Sequence, residues 1–414
     1  MPEHDLIDHH RLGRELELFY SDPLAGAGLP MWLPAGAAAR HAVEDYLREL
    51  ERRAGYQHVY SPPLAKKRAY EISGHLAHFA DDMFPPMAVS ADDELMLRPS
   101  LCPHHALIYA SRGRSYRELP VRLAELGGQY RAERSGVLGG LGRVRAMWLN
   151  DAHIFCTPEQ VGGEVAAVLR LVAQAHKALG VPPAGMRLSR RGDGGKYAGD
   201  ARMWRRAEAA LRSCLDEAGV DYVEEKGEAA FYGPKIDIQV RDAGGREETL
   251  STVQLDFHQP ARFGLSYVDG DSVRRQPVMV HRSLVGSMER LFAYLIEIHQ
   301  GAFPVWFAPV QVAALPVGGD QAGAAQRFVD EAVAAGLRAK VEADGSLAAR
   351  VRDAVRARIP YAAVIGAREA AAGLVSLRLR DGRALDPMPA EAALRLIGAA
   401  ADDRGHGLLR APAT

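Results

Sequence analysis

From about residue 306 onward the chain settles into a strand–helix alternation, and that change of pattern constrains the architecture more than any other feature. QVAALPV reads as a strand, QAGAAQRFVDEAVAAGL as a helix, RAKVEAD as a strand, SLAARVRDAVRARI as a helix and PYAAVIGA as a strand. A hairpin (LVSLRLRDGRAL) and a last helix follow. Parallel neighbours need a crossover connection, so strands alternating with helices predict a small α/β domain with a largely parallel sheet. That domain is expected over 306–414, leaving 1–305 for a larger one, and 414 residues suit such a division.

The larger part reads differently. Residues 36–54 form a helix by the spacing of Val43, Tyr46, Leu47 and Leu50. GYQHVYSPPL reads as a strand closed by Pro62 and Pro63. Residues 121–155 read as strand, Gly-rich loop (SGVLGGLGR) and strand, and 159–180 as a helix ending near Gly180. AFYGPKIDIQV and ETLSTVQLDF, separated by DAGG, predict a hairpin. Residues 284–297 read as a helix with Leu284, Met288, Leu291 and Leu295 on its apolar stripe, and Gly286 and Arg290 four apart on another face.

Lys plus Arg is 51 and Asp plus Glu is 52, so overall charge does not point to nucleic acid and any basic patch must be local. Three cysteines, Cys102, Cys156 and Cys214, form no disulfide framework and fit a reducing cytoplasm. The segment MPEHDLIDHH is too polar for a signal peptide, and no apolar run reaches the ~20 residues of a membrane span. No GxxxxGK[ST] occurs, which excludes a P-loop.

The chemistry-bearing residues fall in three groups. In NDAHIFC, read as a strand, Asp151 and His153 share one face. Cys102 in RPSLCPHH, His153, and His281 in VMVHRSLVGS are of the right types for a catalytic zinc with three protein ligands and an open position. Their separations of 51 and 128 residues match no local zinc motif, so on the residues alone hydrogen-bonded histidines in a polar cleft are the favoured reading over zinc. Arg131 and Glu133 precede the Gly-rich loop, with Arg143 and Arg145 after it. Arginine holds phosphate bidentately and Glu accepts from an adenine amino group, while a surface ion pair is the bland alternative. In FYGPKIDI, Tyr232 and Lys235 flank a Gly-Pro turn, where Lys235 meets a carboxylate or phosphate, or only solvent.

Together these segments resemble a known family. GQYRAERSG with GLGRVR is similar to motif 2 of the class II aminoacyl-tRNA synthetases, VGSMERLFAYLIE to motif 3, and SPPL after an amphipathic helix to motif 1. RPSLCPHH, YRELPVRLAELG, NDAHIFCTPEQ, FYGPKIDI, TVQLDF and PVMVHRSLVGSMER resemble, in the same order, segments of the threonyl-tRNA synthetase family, from about residue 8 to 400. The resemblance implies an α+β fold: an antiparallel catalytic sheet flanked by helices, then an α/β anticodon-binding-like domain. It implies zinc on Cys102, His153 and His281, with Asp151 and Tyr232 in the amino-acid pocket and Asp151 accepting from the substrate hydroxyl. Arg131, Glu133, Arg143, Gln254 and Arg290 are implied at ATP, accompanied by Mg2+. Arg131, Arg290, Lys235 and His75 are implied in catalysis, His75 at transfer to the tRNA terminal ribose. The implied partners are ATP, threonine (serine also fitting) and tRNA, in a homodimer with no membrane association.

Departures from the family pattern matter as much. The chain begins where the family's catalytic domain begins, which predicts a form without the N-terminal and editing domains. Leu149 and Thr249 stand where the family has Gln, and His104 where it has Gly. The anticodon-reading loop near VEADGSLAARVRD is shorter here, with Gly345 and Ser346, which predicts weak or anticodon-insensitive acceptance of tRNA. Besides a compact threonine–tRNA ligase, these departures leave two alternatives. One is a biosynthetic paralogue that activates threonine or a related β-hydroxy amino acid and passes it to a carrier protein or a small amine. The other is a non-catalytic binding module.

Overall fold

The computed structural model describes residues 8–90, 93–194, 197–242 and 244–409. Ala243, in the DAGG turn, and the first seven residues read against a signal peptide lie outside them. The larger part is organised by an eight-stranded sheet: β1 (Gln57–His58), β2 (Val121–Tyr130), β3 (Ala146–Cys156), β4 (Gly185–Arg190), β5 (Tyr222–Lys226), β6 (Lys235–Arg241), β7 (Glu247–Asp256) and β8 (Val278–Ser287). Their spatial order is β5-β4-β6-β7-β8-β3-β2-β1. Pairing is antiparallel except at the two edges, where β5 runs parallel to β4 and β1 parallel to β2.

Side chains alternate faces along each central strand. Ala152, Ile154, Val253, Leu255, Val280 and Leu284 enter the main core, with Val43 and Leu47 from helix α1 (Pro34–Arg53) and Val165, Val168 and Val172 from helix α2 (Val161–Leu179). Gly180 ends α2 in the left-handed region at φ 71°. Asp151, His153, Gln254, His281 and Ser283 alternate with those apolar residues and occupy the opposite face. A sheet with one apolar and one polar buried face needs something on the second face to satisfy it.

Several expectations are corrected. The helix expected over 284–297 begins at Met288, because 278–287 continues as β8, paired to β7 on one side and β3 on the other. Leu284 is therefore a strand residue, and Gly286 and Arg290 share no helix face. Gly286 has φ +68°, and a Cβ there would sit 2.8 Å from the Leu250 carbonyl oxygen. Ser287 then caps helix α3 (Met288–His299) by accepting from the Arg290 N–H at 3.2 Å. Of GYQHVYSPPL only Gln57–His58 and the last residue, Leu64, which opens a separate short strand Leu64–Lys66, are strand. Residues 185–190, 201–218 and 222–226, given no reading from the sequence above, form β4, a helix over Ala201–Ala218 that buries Trp204, Ala207, Leu211 and Leu215 at helical spacing, and β5.

The C-terminal part has its own sheet and core. Strands β9 (Val312–Pro316), β10 (Ala339–Val341) and β11 (Tyr361–Ile365) are parallel, and β12 (Leu374–Leu379) and β13 (Met388–Pro389) add antiparallel, in the order β10-β9-β11-β12-β13. The sheet is thus mixed rather than largely parallel, since β12, from the hairpin, and β13, just beyond it, both add antiparallel. Ser346, in the shortened loop, caps the helix Leu347–Arg356 and accepts from the Ala349 N–H at 3.3 Å. Among the described residues no helix is long and apolar enough to cross a membrane.

The apolar face carries a buried ion pair. Arg282 of β8, fully buried, pairs with Glu51 of α1 at 2.8 Å and lies over the Tyr56 ring at 4.3 Å. Asn150 donates to Glu51 at 2.8 Å and accepts from the Leu284 N–H at 3.1 Å, tying α1 to β3 and β8. Glu51→Ala strands the guanidinium in the core and is expected to cost about 3–5 kcal/mol, read as a lower urea midpoint at unchanged slope.

Candidate active site

Antiparallel register aligns functional side chains into rows. Lys235 of β6, Gln254 of β7, His281 of β8 and His153 of β3 are successive cross-strand neighbours. One pleat along the same face, Arg187, Asp237, Thr252, Ser283, Asp151 and Glu125 form a second row. Residues far apart in sequence are therefore nearest neighbours in space.

At one end of the first row lies a buried cluster. Cys102, at the start of the helix Cys102–Ala110, comes down onto the sheet, and potential ligand atoms of Cys102, His153 and His281 all lie within 4.8 Å of one another. His153 Nε2 and His281 Nδ1 face each other at 3.0 Å. Each histidine is held at its other nitrogen: His281 Nε2 lies 2.9 Å from Asp256 Oδ2, and His153 Nδ1 lies 2.8 Å from His105 Nδ1. One thiol and two oriented imidazoles are the donor set of a zinc site that keeps an open position. Burial pushes the Cys102 thiol up to about 12, so a thiolate there needs a cation beside it. Burial also holds His153 neutral, the form that ligates.

The surroundings of the cluster are polar and tight. Burial raises Asp151 to about 6, and Gln129 donates to it at 3.4 Å. The Tyr232 ring stacks on His281 with centroids 4.6 Å apart, and its hydroxyl donates to Gln254 at 2.6 Å. His75 packs against the cluster, its Nε2 3.8 Å from Cys102 Sγ and its Nδ1 2.7 Å from Ser73 Oγ. Burial drives its pKa down to about 3, so the ring is neutral.

Beyond Gln254 the face opens into a cavity of about 330 Å³, lined among others by Arg131, Glu133, Arg143, Lys235, Gln254 and Arg290. Arg131 lies just past the end of β2, where its N–H bonds the Arg145 carbonyl at 2.9 Å. Burial, and then the charge of Arg290, push the Arg131 pKa down. Two guanidiniums brought together in this way form an end that favours an anion. Glu133 is engaged by Arg143 at 2.8 Å, and Lys235 by Asp237 at 2.9 Å.

Arg131, Glu133, Arg143, Lys235, Gln254 and Arg290 thus line the cavity, and Cys102, His153, His281, Asp151, Tyr232 and His75 form the buried cluster, while Arg145 turns to the Glu133 and Ala27 carbonyls. Leu149 and Thr249 line the cavity, so both departures face the site. Thr249 Oγ1 accepts from Gln239 at 2.9 Å and from Arg187 at 3.4 Å. His104 points away, its Nε2 3.4 Å from the Leu64 carbonyl. Sequence reasoning missed His105, Glu125 and Asp256, which orient the cluster. The available signal was a single carboxylate within each strand text, VRLAELG for Glu125 and TVQLDF for Asp256.

Residues 87–299 match the tRNA synthetase class II core domain (G, H, P, S and T), and residues 311–399 match an anticodon binding domain. The threonine–tRNA ligase of Listeria welshimeri is 47% identical over 389 residues, 93% of this chain and 61% of that protein. That of Geobacillus kaustophilus is 48% identical over 378 residues, 90% of this chain and 57% of that protein. The chain therefore spans about 61% of the length of the first of these curated relatives. The crystal structure of the RNA binding domain of threonyl-tRNA synthetase from Cryptosporidium parvum superposes with a TM-score of 0.91 at 33% identity, covering 97% of this chain and 99% of that one. With its two-part fold and its cysteine–histidine cluster beside an arginine-lined cavity, the chain belongs to the class II tRNA synthetases, in the threonyl-tRNA synthetase family.

Proposed function

We propose that the chain activates threonine with ATP and transfers it to the 3′ end of tRNA. The observation that carries this reading is the single row Lys235–Gln254–His281–His153, which sets the cysteine–histidine cluster directly beside the arginine-lined cavity. Zinc on Cys102, His153 and His281 would supply a Lewis-acidic open position for an amine and a neighbouring hydroxyl. Asp151 accepts from that hydroxyl, and Tyr232 closes the pocket against His281. Arg131 and Arg290 hold the phosphates of ATP, which arrives with Mg2+, and Arg131 stabilises charge developing at the α-phosphate. Glu133, Arg143, Gln254 and Lys235 complete the cavity. His75, neutral at physiological pH, is placed by this reading at the step that transfers the amino acid to the tRNA terminal ribose.

On this reading residues 1–305 are the catalytic domain and 306–414 the anticodon-binding-like domain, supported by two separate cores and by family matches on either side of 306. The anticodon binding domain match supports tRNA as acceptor over a carrier protein or small amine. A cytoplasmic homodimer joined through the SPPL segment belongs to the same reading, and Tyr60 beside it, 88% exposed, is available for such a contact.

Three measurements test the reading. Purified chain is expected to carry about one zinc, as three-ligand sites do, and Cys102→Ser to lose most of it. Equal metal in both proteins removes Cys102 from the site. Arg131→Ala is expected to lower threonine-dependent ATP–pyrophosphate exchange by about 10²–10³, the worth of one preorganised donor, with an unchanged melting temperature. Exchange near the wild-type rate overturns the phosphate assignment.

The third concerns the amino acid. Valine has no hydroxyl for Asp151, and sites built for a hydroxyl reject such an analogue by about 10⁴–10⁵. Serine keeps the hydroxyl and loses a methyl, worth only about 1–3 kcal/mol. Exchange is expected with threonine, more weakly with serine, and not with valine. Valine activation comparable to serine defeats the hydroxyl-reading pocket.

A further inference from the structure

The two histidines of the cluster pose a question of protons. His153 Nε2 and His281 Nδ1 face each other at 3.0 Å, and what each presents depends on its other nitrogen. On His281 the answer is local. Its Nε2 lies 2.9 Å from Asp256 Oδ2, and Asp256 Oδ1 accepts from the His258 and Gln259 N–H groups at 2.7 and 2.8 Å. An ionised carboxylate only accepts, so His281 carries its proton on Nε2 and presents a lone pair from Nδ1.

On His153 the answer comes from farther away. Its Nδ1 meets another imidazole, His105 Nδ1, at 2.8 Å, and a single proton lies between them. His105 is fully buried, and its Nε2 lies 3.3 Å from Glu125 Oε2. Every other partner of that carboxylate is a donor. Ser61 N–H and Arg98 Nη2 reach Oε1 at 3.2 and 3.1 Å, and Ser61 Oγ reaches Oε2 at 2.6 Å. Arg98 already balances the Glu125 charge, so a second buried cation at His105 would be uncompensated. His105 therefore donates from Nε2 to the carboxylate and accepts on Nδ1. His153 must then donate from Nδ1, which leaves Nε2 bare. Two lone pairs facing at 3.0 Å are stabilised by a shared cation.

We infer that Glu125, acting through His105, is a positioning residue for the metal: it fixes the His153 tautomer that leaves Nε2 free to ligate. The relay starts at Ser61, in the SPPL segment of the catalytic domain, and Arg98 anchors that segment by donating to the Ser61 and Pro62 carbonyls at 3.0 and 3.2 Å. The inference rests on the zinc reading above, and it adds that metal affinity is set by a carboxylate two side chains away from the ion.

Glu125→Gln tests the direction of the relay. The amide oxygen stays with Arg98 and the Ser61 N–H, both donors, so the amide N–H faces His105 Nε2. That reverses both tautomers and puts a proton on His153 Nε2. Zinc affinity, measured by competition with a chromophoric chelator, is expected to fall about 10–100-fold, the usual effect of losing an outer-shell partner. In 15N-histidine-labelled wild type, NMR is expected to find the His153 proton on Nδ1 and the His105 proton on Nε2, whether or not the variant folds. A folded Glu125→Gln protein that binds zinc as tightly as wild type, or a wild-type His153 protonated at Nε2, overturns the relay and leaves the zinc reading standing. Wild type that binds no zinc overturns the zinc reading, and the relay with it.

Discussion

Everything in the site depends on the register of four antiparallel strands. Lys235, Gln254, His281 and His153 are neighbours only because β6, β7, β8 and β3 pair with no slip between them at these positions. A shift of one residue would turn each of these side chains into the apolar core and bring Ile236, Val253, Val280 or Ile154 out in its place. The core on the other face therefore does more than stabilise the sheet. Burial of alternate residues against Pro34–Arg53, Val161–Leu179 and Met288–His299 is the force that holds the polar rows in line.

The polar face is arranged as two charge imbalances side by side. In the cavity, burial and then the charge of Arg290 lower the preference of Arg131 for the charged form, while Glu133 and Asp237 are already engaged by Arg143 and Lys235. In the cluster, a thiol pushed up by burial and two imidazole nitrogens 3.0 Å apart favour a cation. An anion at one zone and a cation at the other relieve both imbalances, and the strand spacing of about 4.8 Å keeps the zones close enough for one small substrate to touch both. The buried carboxylates Asp256 and Glu125 orient the imidazoles without entering the cavity.

Much of this was legible before any coordinates. The residues quoted from RPSLCPHH, NDAHIFC and VMVHRSLVGS converge as a cluster, and those of QYRAERSG, GLGRVR, FYGPKIDI and TVQLDF line the cavity or abut it. Where the reading failed, tertiary contact overrode local pattern. Leu284 and Met288 have helical spacing, yet strand pairing on both sides holds the chain up to Ser283, and an irregular stretch through Gly286 re-pairs at Ser287, which caps the helix. The hairpin LVSLRLRDGRAL was legible as a hairpin, but its antiparallel addition to β11 is what makes the second sheet mixed.

Residue chemistry decided which groups were available: a soft sulfur and two imidazoles, paired arginines, a lysine after a Gly-Pro turn, and apolar residues at every second strand position. Periodicity decided most of the elements, because burial of one face imposes a period that survives in the text of the chain. Pairing order, register and tautomer were left to the fold. Cys102, His153 and His281 lie 51 and 128 residues apart, and nothing local in the chain encodes that their side chains meet. Nor does VRLAELG reveal that Glu125 governs a proton on His153, since that follows from contacts that exist only once three segments are packed together.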